Sequence, residues 1–369
     1  MPKFQSRLVE LDFFRGLVLL IIVVDHIGGS ILSRITLHAY ALCDAAEVFV
    51  FLGGFATATA YAALAERRSE TVAQQRFLRR ALEIYRAFLV TAGLMLLVSA
   101  VLIAFSIDAP NLTTTDLTDL AATPASALRD ILLLRRQPYL ASVLPMYAGF
   151  ALIVPVILPL ARTRPWLLLA GSVALWASAP ALYGYLPVAA GTRWDFNPFA
   201  WQLLFVLGIV MRCQPVYPRL SAARHGWLIN VLALAIVAAA ACYKLLFEHV
   251  PLIGIFKPNL SWLRVVNFLA IAWLIANLIR LGWAGRLARW LPWVGLIGRH
   301  GLLCFIAGSA ISLVIDSLLY TATSGYLNLP LGLMADAIAI SALIGVAQAA
   351  GPVARIYPRL FAFRFKTSG

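Results

Sequence analysis

The chain has 369 residues, 62% of them hydrophobic and only 12% charged, with a mean hydropathy of +0.86. That is about half the charge a soluble domain carries on its surface, which excludes a water-soluble fold. A formal charge of +14 would suggest nucleic acid as partner in a soluble protein, but here the basic residues sit in short runs between apolar stretches, as in cytoplasmic loops facing anionic lipid.

A bilayer-spanning helix needs roughly 20 apolar residues. On that scale helices are predicted at 11–28, 46–65, 84–106, 139–161, 166–183, 198–212, 227–247, 262–280, 296–319 and 331–351. The sequence therefore reads as an all-α integral membrane protein of about ten transmembrane helices, in a single domain over 1–369. With the N-terminus in the cytoplasm, Lys3, Arg7, Arg67, Arg68, Arg76, Arg79, Arg80, Arg162, Arg164, Arg212, Arg219, Arg224, Arg280, Arg286, Arg289, Arg355, Arg359, Arg364 and Lys366 fall inside. Only Arg34, Arg129, Arg135, Arg136, Arg193 and Lys257 fall outside, so both termini are expected inside.

The first apolar run could pass for a secretory signal, but Asp12 and Arg15 interrupt it, and its retention as a span is expected. Ionisable groups within a span need a partner or a task. Asp12 and Arg15, three apart, could form an interfacial ion pair. Arg15 and His26 are eleven residues apart, which returns to within about 20° of the same helix face, roughly 16 Å further along the axis. His26 is either a helix-end histidine or a proton-exchanging group oriented by a carboxylate such as Asp25.

In the second helix Asp44 and Glu47 are neighbours on one face. Asp44 suits an N-cap, while Glu47, deeper, suits pairing with His26 or an arginine. Gly53 and Gly54, among alanines, should let neighbouring helices approach closely. The loop at 107–138, with Asp108, Asp116, Asp119 and Asp130 among threonines, reads as a solvated cap over one face.

At the outer mouth of the sixth helix, Arg193, Trp194, Asp195, Asn197, Trp201 and Gln202 form either an aromatic membrane belt or a platform on which sugar rings stack while polar groups bind their hydroxyls. Lys257, Asn259, Arg264 and Asn267 follow in and before the eighth helix. Arg299 and His300, at the inner start of the ninth, could grip the phosphates of a cytoplasmic donor or reach lipid headgroups. Cys43, Cys213, Cys242 and Cys304 are widely spaced and read as small apolar residues, without a disulfide framework or a zinc site. The sequence carries no nucleotide-binding loop, haem pair or metal triad, so no bound metal or redox cofactor is expected.

The stretches ELDFFRGLVLLIIVVDHI, DAAEVFVFLGG, NPFAWQLLF, KPNLSWLRVVNFLAIAWL and GRHGLLCF resemble the OpgC family, membrane succinyltransferases of osmoregulated periplasmic glucans within the acyltransferase-3 superfamily. The superfamily hallmark of an arginine, ten residues and a histidine in the first helix is met by Arg15 and His26. The resemblance implies an acyltransferase-3-like bundle in the bacterial inner membrane, moving an acyl group from cytoplasmic succinyl-CoA to a glucan hydroxyl outside. CoA ester and glucan are then the partners beside membrane lipid, with no nucleic acid, and a homodimer is one open arrangement. It also implies His26 as the catalytic residue, with Arg15 facing the donor or supporting the bundle. Where relatives are expected to carry arginine, this chain has His38, a second imidazole near the outer mouth. Asp25, Asp44 and Glu47 are the carboxylates that could orient His26, Arg15 or Arg264 could stabilise an oxyanion, and Cys43 could carry an acyl relay. The rival readings are a transporter or flippase using the same charges, and an acetyl-CoA-dependent enzyme of the same architecture.

Overall fold

The computed structural model describes residues 9–248 and 257–356, and among them every regular element is helical. In chain order they are α1 (Val9–Asp25), α2 (Leu37–Tyr40), α3 (Ala45–Arg67), α4 (Glu70–Ala104), α5 (Thr114–Ala122), α6 (Pro124–Leu132), α7 (Val143–Thr163) and α8 (Pro165–Leu182). They continue with α9 (Pro198–Cys213), α10 (Val216–Ala222), α11 (Gly226–Leu246), α12 (Trp262–Arg280), α13 (Trp283–Trp290), α14 (Pro292–Arg299), α15 (Gly301–Thr323) and α16 (Leu329–Ile356).

Among the described residues eight helices are long and apolar enough to cross a membrane, and a ninth is if α9 and α10, bent by 73°, count as one. Each of the ten predicted spans coincides with a helix, and the two that fall outside the count of eight are α1, of which 17 residues are described, and α9, with 16. Helix α1 stops at Asp25 ahead of the Gly28–Gly29 turn, and α9 is bracketed by Pro198 and Pro215. Two other boundaries also differ. Helix α4 begins at Glu70, fourteen residues before the apolar run, because the charged stretch holding Arg76, Arg80 and Glu83 is helical and laced by ion pairs of 2.8 and 3.0 Å. The outer loop at 107–138 contains α5 and α6, so it is a folded cap.

Side-chain bonds sort the turns into two ends. At one end Tyr139 lies beside His26, Asn111 and Gly28 both donate to Asp316, Thr192 donates to the Arg135 carbonyl at 3.0 Å, and Lys257 pairs with Asp44. At the opposite end Tyr61 donates to Glu70 at 2.8 Å, Gln214 donates to the Ala161 carbonyl at 2.9 Å, and Arg299 faces Asp12. Arg67, Arg162, Arg212, Arg280 and Arg289 belong to the second, basic end, so the predicted segregation of charge follows the chain path. Lys3, Arg7, Arg359, Arg364 and Lys366 lie outside the described residues.

Two glycine-mediated crossings set the interior. Gly16 of α1 lies against the Val294 backbone of α14, while Gly298 of α14 lies against the Asp12 carbonyl, and a Cβ at either would overlap backbone. Gly54 of α3 and Gly208 of α9 repeat the arrangement against Phe205 and Phe51. Gly53 instead makes room for the Tyr147 hydroxyl. The outward faces of α4, α7, α8 and α11 carry exposed Leu97, Val156, Trp166, Val231 and Leu232, an apolar surface suited to lipid.

Candidate active site

The end of α1 presents the imidazole that the sequence singled out. His26 follows the last helical residue, and its Nδ1 lies 2.6 Å from the Ile22 carbonyl one turn back. A carbonyl only accepts, so Nδ1 carries the hydrogen, and Nε2 of the neutral ring keeps its lone pair. The half-buried ring meets Tyr139 edge-on, with centroids 6.4 Å apart. Tyr139 precedes α7, and burial, then the Asp316 carboxylate, push its phenol well above its usual range, so it remains a hydrogen-bond donor.

The expected orientation of His26 by a carboxylate is replaced by this backbone carbonyl, because the three candidate carboxylates are engaged elsewhere. Asp25 accepts from Thr36 Oγ1 at 2.6 Å and faces His38 Nδ1 at 3.2 Å. His38 is therefore the imidazole with a carboxylate behind it. Its Nδ1 also lies 3.0 Å from Thr36 Oγ1.

Asp44 and Glu47 form a reciprocal capping box at the start of α3. Asp44 accepts from the Ala46 amide at 2.8 Å, and Glu47 accepts from the Asp44 amide at 2.9 Å. Their remaining oxygens bind cations. Asp44 pairs with Lys257 and Arg264, both at 2.9 Å, and Glu47 pairs with Arg264 Nε. Burial alone would raise the pKa of Asp44, but Lys257 and Arg264 outweigh it and hold the group well below the usual carboxylate range. Arg264 is 2% exposed and Glu47 0%, so this cluster joins α3 to α12 as a buried ion network. Arg264 is thereby bound to carboxylates, which opposes its use as an oxyanion donor. Asn267, one turn on, accepts from the Leu42 amide at 2.9 Å, and the buried Cys43 thiol donates to the same oxygen at 3.5 Å. Lys257, Asp25 and Asp44 lie within electrostatic reach of the His26 ring.

Two carboxylates that the sequence reading passed over hold the turn after His26. Asp316 on α15 accepts from the Gly28 amide at 2.7 Å and from Asn111 at 2.7 Å. Asp336 on α16 accepts from the Ser30 hydroxyl at 2.5 Å and from the Ile31 and Leu32 amides at 3.0 and 2.9 Å. Both are buried, at 5% and 1% exposure. Their signal in the sequence was a lone aspartate within an apolar span, which demands a partner or a task.

The sugar platform at α9 is corrected. Trp201 is 0% exposed and donates its Nε1 hydrogen to the Lys257 and Pro258 carbonyls, both at 3.1 Å. Trp194 is buried and donates to the Pro187 carbonyl at 2.8 Å. Asn197 caps α9 and donates to the Ala179 carbonyl and to Asn259, while Gln202 is closed onto Ser172 of α8. Indole faces packed inside the protein offer no surface for a sugar ring. These residues form a joint between α8, α9 and the segment before α12. Arg193 and Asp195 are exposed beside it.

With this geometry in view, comparison with known proteins is specific. The sequence model of the OpgC protein family matches residues 7–355, nearly the whole chain. The chain belongs to the OpgC family. No curated protein and no solved structure matches it. Membership in the OpgC family points to an acyltransferase, and the apolar helices make it a multi-pass membrane protein.

Within this OpgC-family chain the basic end brings Arg15, Asp12, Arg299 and His300 together around the α1–α14 crossing. The Arg15 guanidinium lies over Gly301, where an added Cβ would be 2.8 Å from it, and its charge reaches Tyr147 of α7. Asp12 faces Arg299 at 3.6 Å, and Arg299 is 46% exposed. His300 stands half-buried at the break between α14 and α15. Arg15 lies on α1 and His26 directly follows it, so the two stand toward opposite ends of that helix.

Proposed function

We propose that this protein is an O-acyltransferase of the bacterial inner membrane that carries a succinyl group from cytoplasmic succinyl-CoA to a hydroxyl of a periplasmic glucan. The observation that carries the reading is the free Nε2 lone pair of His26, fixed by the Nδ1 hydrogen bond to Ile22 and presented at the end of the bundle opposite the arginine-rich loops. Both termini and the basic end face the cytoplasm in this reading, where anionic lipid and the donor phosphates meet the same cations.

The CoA ester enters from the basic end, and its pantetheine arm runs beside α1 past Arg15 toward His26. His26 Nε2 takes the proton of a glucan hydroxyl as that oxygen attacks the thioester carbonyl. Collapse of the tetrahedral intermediate breaks the C–S bond. The imidazolium then returns its proton to the departing CoA thiolate, giving the glucan ester, free CoA and neutral His26. Tyr139, a protonated phenol beside the imidazole, is available to orient the acceptor hydroxyl or to donate to the developing oxyanion.

The test is CoA release by purified protein in nanodiscs supplied with succinyl-CoA or acetyl-CoA and a short β-glucan. Acceptor-dependent release lost in His26→Ala supports the reading, and the donor that works identifies the acyl group. Undiminished release by His26→Ala would move the base to His38, which Asp25 equips with a carboxylate partner. Absence of release with every donor would favour a transporter using the same charged path.

A further inference from the structure

Helix α13 has no part in the chemistry above, yet its sequence, WAGRLARW, sorts into three sides. At 100° per residue Ala284 and Ala288 share one side, and both are buried against the rest of the protein. Trp283, Leu287 and Trp290 lie within roughly 60° of one another on the next side, and they are exposed at 60%, 45% and 82%. Arg286 and Arg289 take the third side and are exposed as well. The Arg286 guanidinium stands over the Trp283 ring, 5.7 Å from its centroid.

The position of α13 in the chain says what meets the apolar side. Helix α12 is long and apolar enough to cross the membrane and ends at Arg280, so Trp283 begins at most about 10 Å of chain from the membrane boundary. Leu278, Ile279 and Leu281 at that end of α12 are also exposed, and exposed apolar side chains thus continue from the span into α13. A short helix at the end of a span, with tryptophan and leucine on one side and arginine on another, lies in the plane of the interface. Acyl chains then cover three large side chains that water would otherwise meet.

The cations say which lipid. Glu10 of α1 and Arg289 both approach Gly285, but among the described residues no carboxylate is within ion-pair distance of Arg286 or Arg289. Helix α13 has no acidic residue of its own, and Arg280 before it adds a third exposed cation. Arg76 and Arg80 of α4, by contrast, pair with Glu83. A guanidinium fits a phosphate through two parallel hydrogen bonds. A headgroup with net negative charge gains most from such cations, because a zwitterionic headgroup already carries its own.

We propose that α13 is an interfacial helix that binds the headgroups of anionic phospholipid through Arg286 and Arg289, with Trp283, Leu287 and Trp290 among the acyl chains. This surface does not depend on which reaction the protein carries out, and its test needs no turnover. A bimane label is placed on Leu287→Cys in the full chain, with the unburied Cys213 and Cys242 changed to serine. The protein is held in nanodiscs of phosphatidylcholine alone or mixed with phosphatidylglycerol. Lipids brominated on the acyl chain should quench the label, and aqueous iodide should not. Brominated phosphatidylglycerol should quench at a lower mole fraction than brominated phosphatidylcholine. Arg286→Gln and Arg289→Gln, both changes of exposed side chains, should each weaken that preference about fivefold, the effect of one cation at an anionic surface. Arg219→Gln, which alters an exposed arginine of α10, should leave it in place. Quenching by iodide and not by lipid puts α13 in water and overturns the proposal. Quenching by neither means that protein, such as a second copy of this chain, covers the helix, and overturns it too. Equal quenching by the two lipids, a preference that survives both arginine changes, or an equal loss in Arg219→Gln overturns the headgroup site.

Discussion

The mouth of α9 and the cap over the His26 end are both rich in polar side chains, but they differ in what their hydrogen-bonding groups have left to do. At α9 the indoles of Trp194 and Trp201 and the amides of Asn197 and Gln202 close on neighbouring carbonyls and amides inside the protein. In the cap Arg136 Nε and Gln137 Oε1 are buried with no partner among the described residues, and Tyr139 stands against His26. Composition is thus a poor guide to a binding surface. Whether the hydrogen-bonding groups are already closed on one another separates a candidate site from a joint.

The largest effect that sharpens this contrast is catalytic. His26→Ala should lower CoA release by a factor of at least about 100, with the melting temperature in detergent little changed; a small loss of rate would return the site to His38. Next, Arg264→Met leaves Asp44 and Glu47 as buried carboxylates missing a cation, and should cost about 3–5 kcal/mol. Thermal unfolding reads this directly, and the double change Arg264→Met with Glu47→Met should recover part of the loss. If the single variant melts like wild type, the network is not a structural tie.

Asp336→Asn keeps an acceptor for the Ile31 and Leu32 amides but removes the charge behind the His26 turn. As a positioning residue it should reduce kcat while leaving the KM of donor and acceptor in place, with Asp336→Ala reducing kcat further. A purely structural role would instead show as a lower melting temperature with unchanged kcat per folded molecule. Trp201→Phe keeps the packed ring and loses one hydrogen-bond donor, a cost of about 1 kcal/mol. Its acceptor KM should not move, and a raised KM would restore a sugar-binding role to the α9 mouth.

The smallest effect concerns pH. Asp44 is held below its unfolded pKa of about 3.9, so its stabilising contribution is fully present above that value and is lost as pH falls through the depressed folded value. Lys257→Met removes one of the cations responsible, and should move acid unfolding to higher pH. An identical acid midpoint would show that Arg264 alone suffices.

The sequence by itself determined the membrane fold, the helix order and the sorting of basic residues to one end. Those follow from runs of apolar residues and from the free-energy cost of charge in lipid, both local properties of the chain. It also singled out His26, since an imidazole at the end of an apolar run with an arginine eleven residues before it is visible without a fold. Tertiary structure alone decided what each polar group faces. It gave His26 a backbone carbonyl in place of a carboxylate, assigned Asp25 to His38, and bound Asp44 and Glu47 to Arg264, which lies 217 residues beyond Glu47 in the chain. It turned Trp201 inward, and it brought Asp316 and Asp336 from α15 and α16 to the turn after α1. Those pairings depend on distance in space between helices far apart in sequence, and hydropathy carries no record of which helices touch.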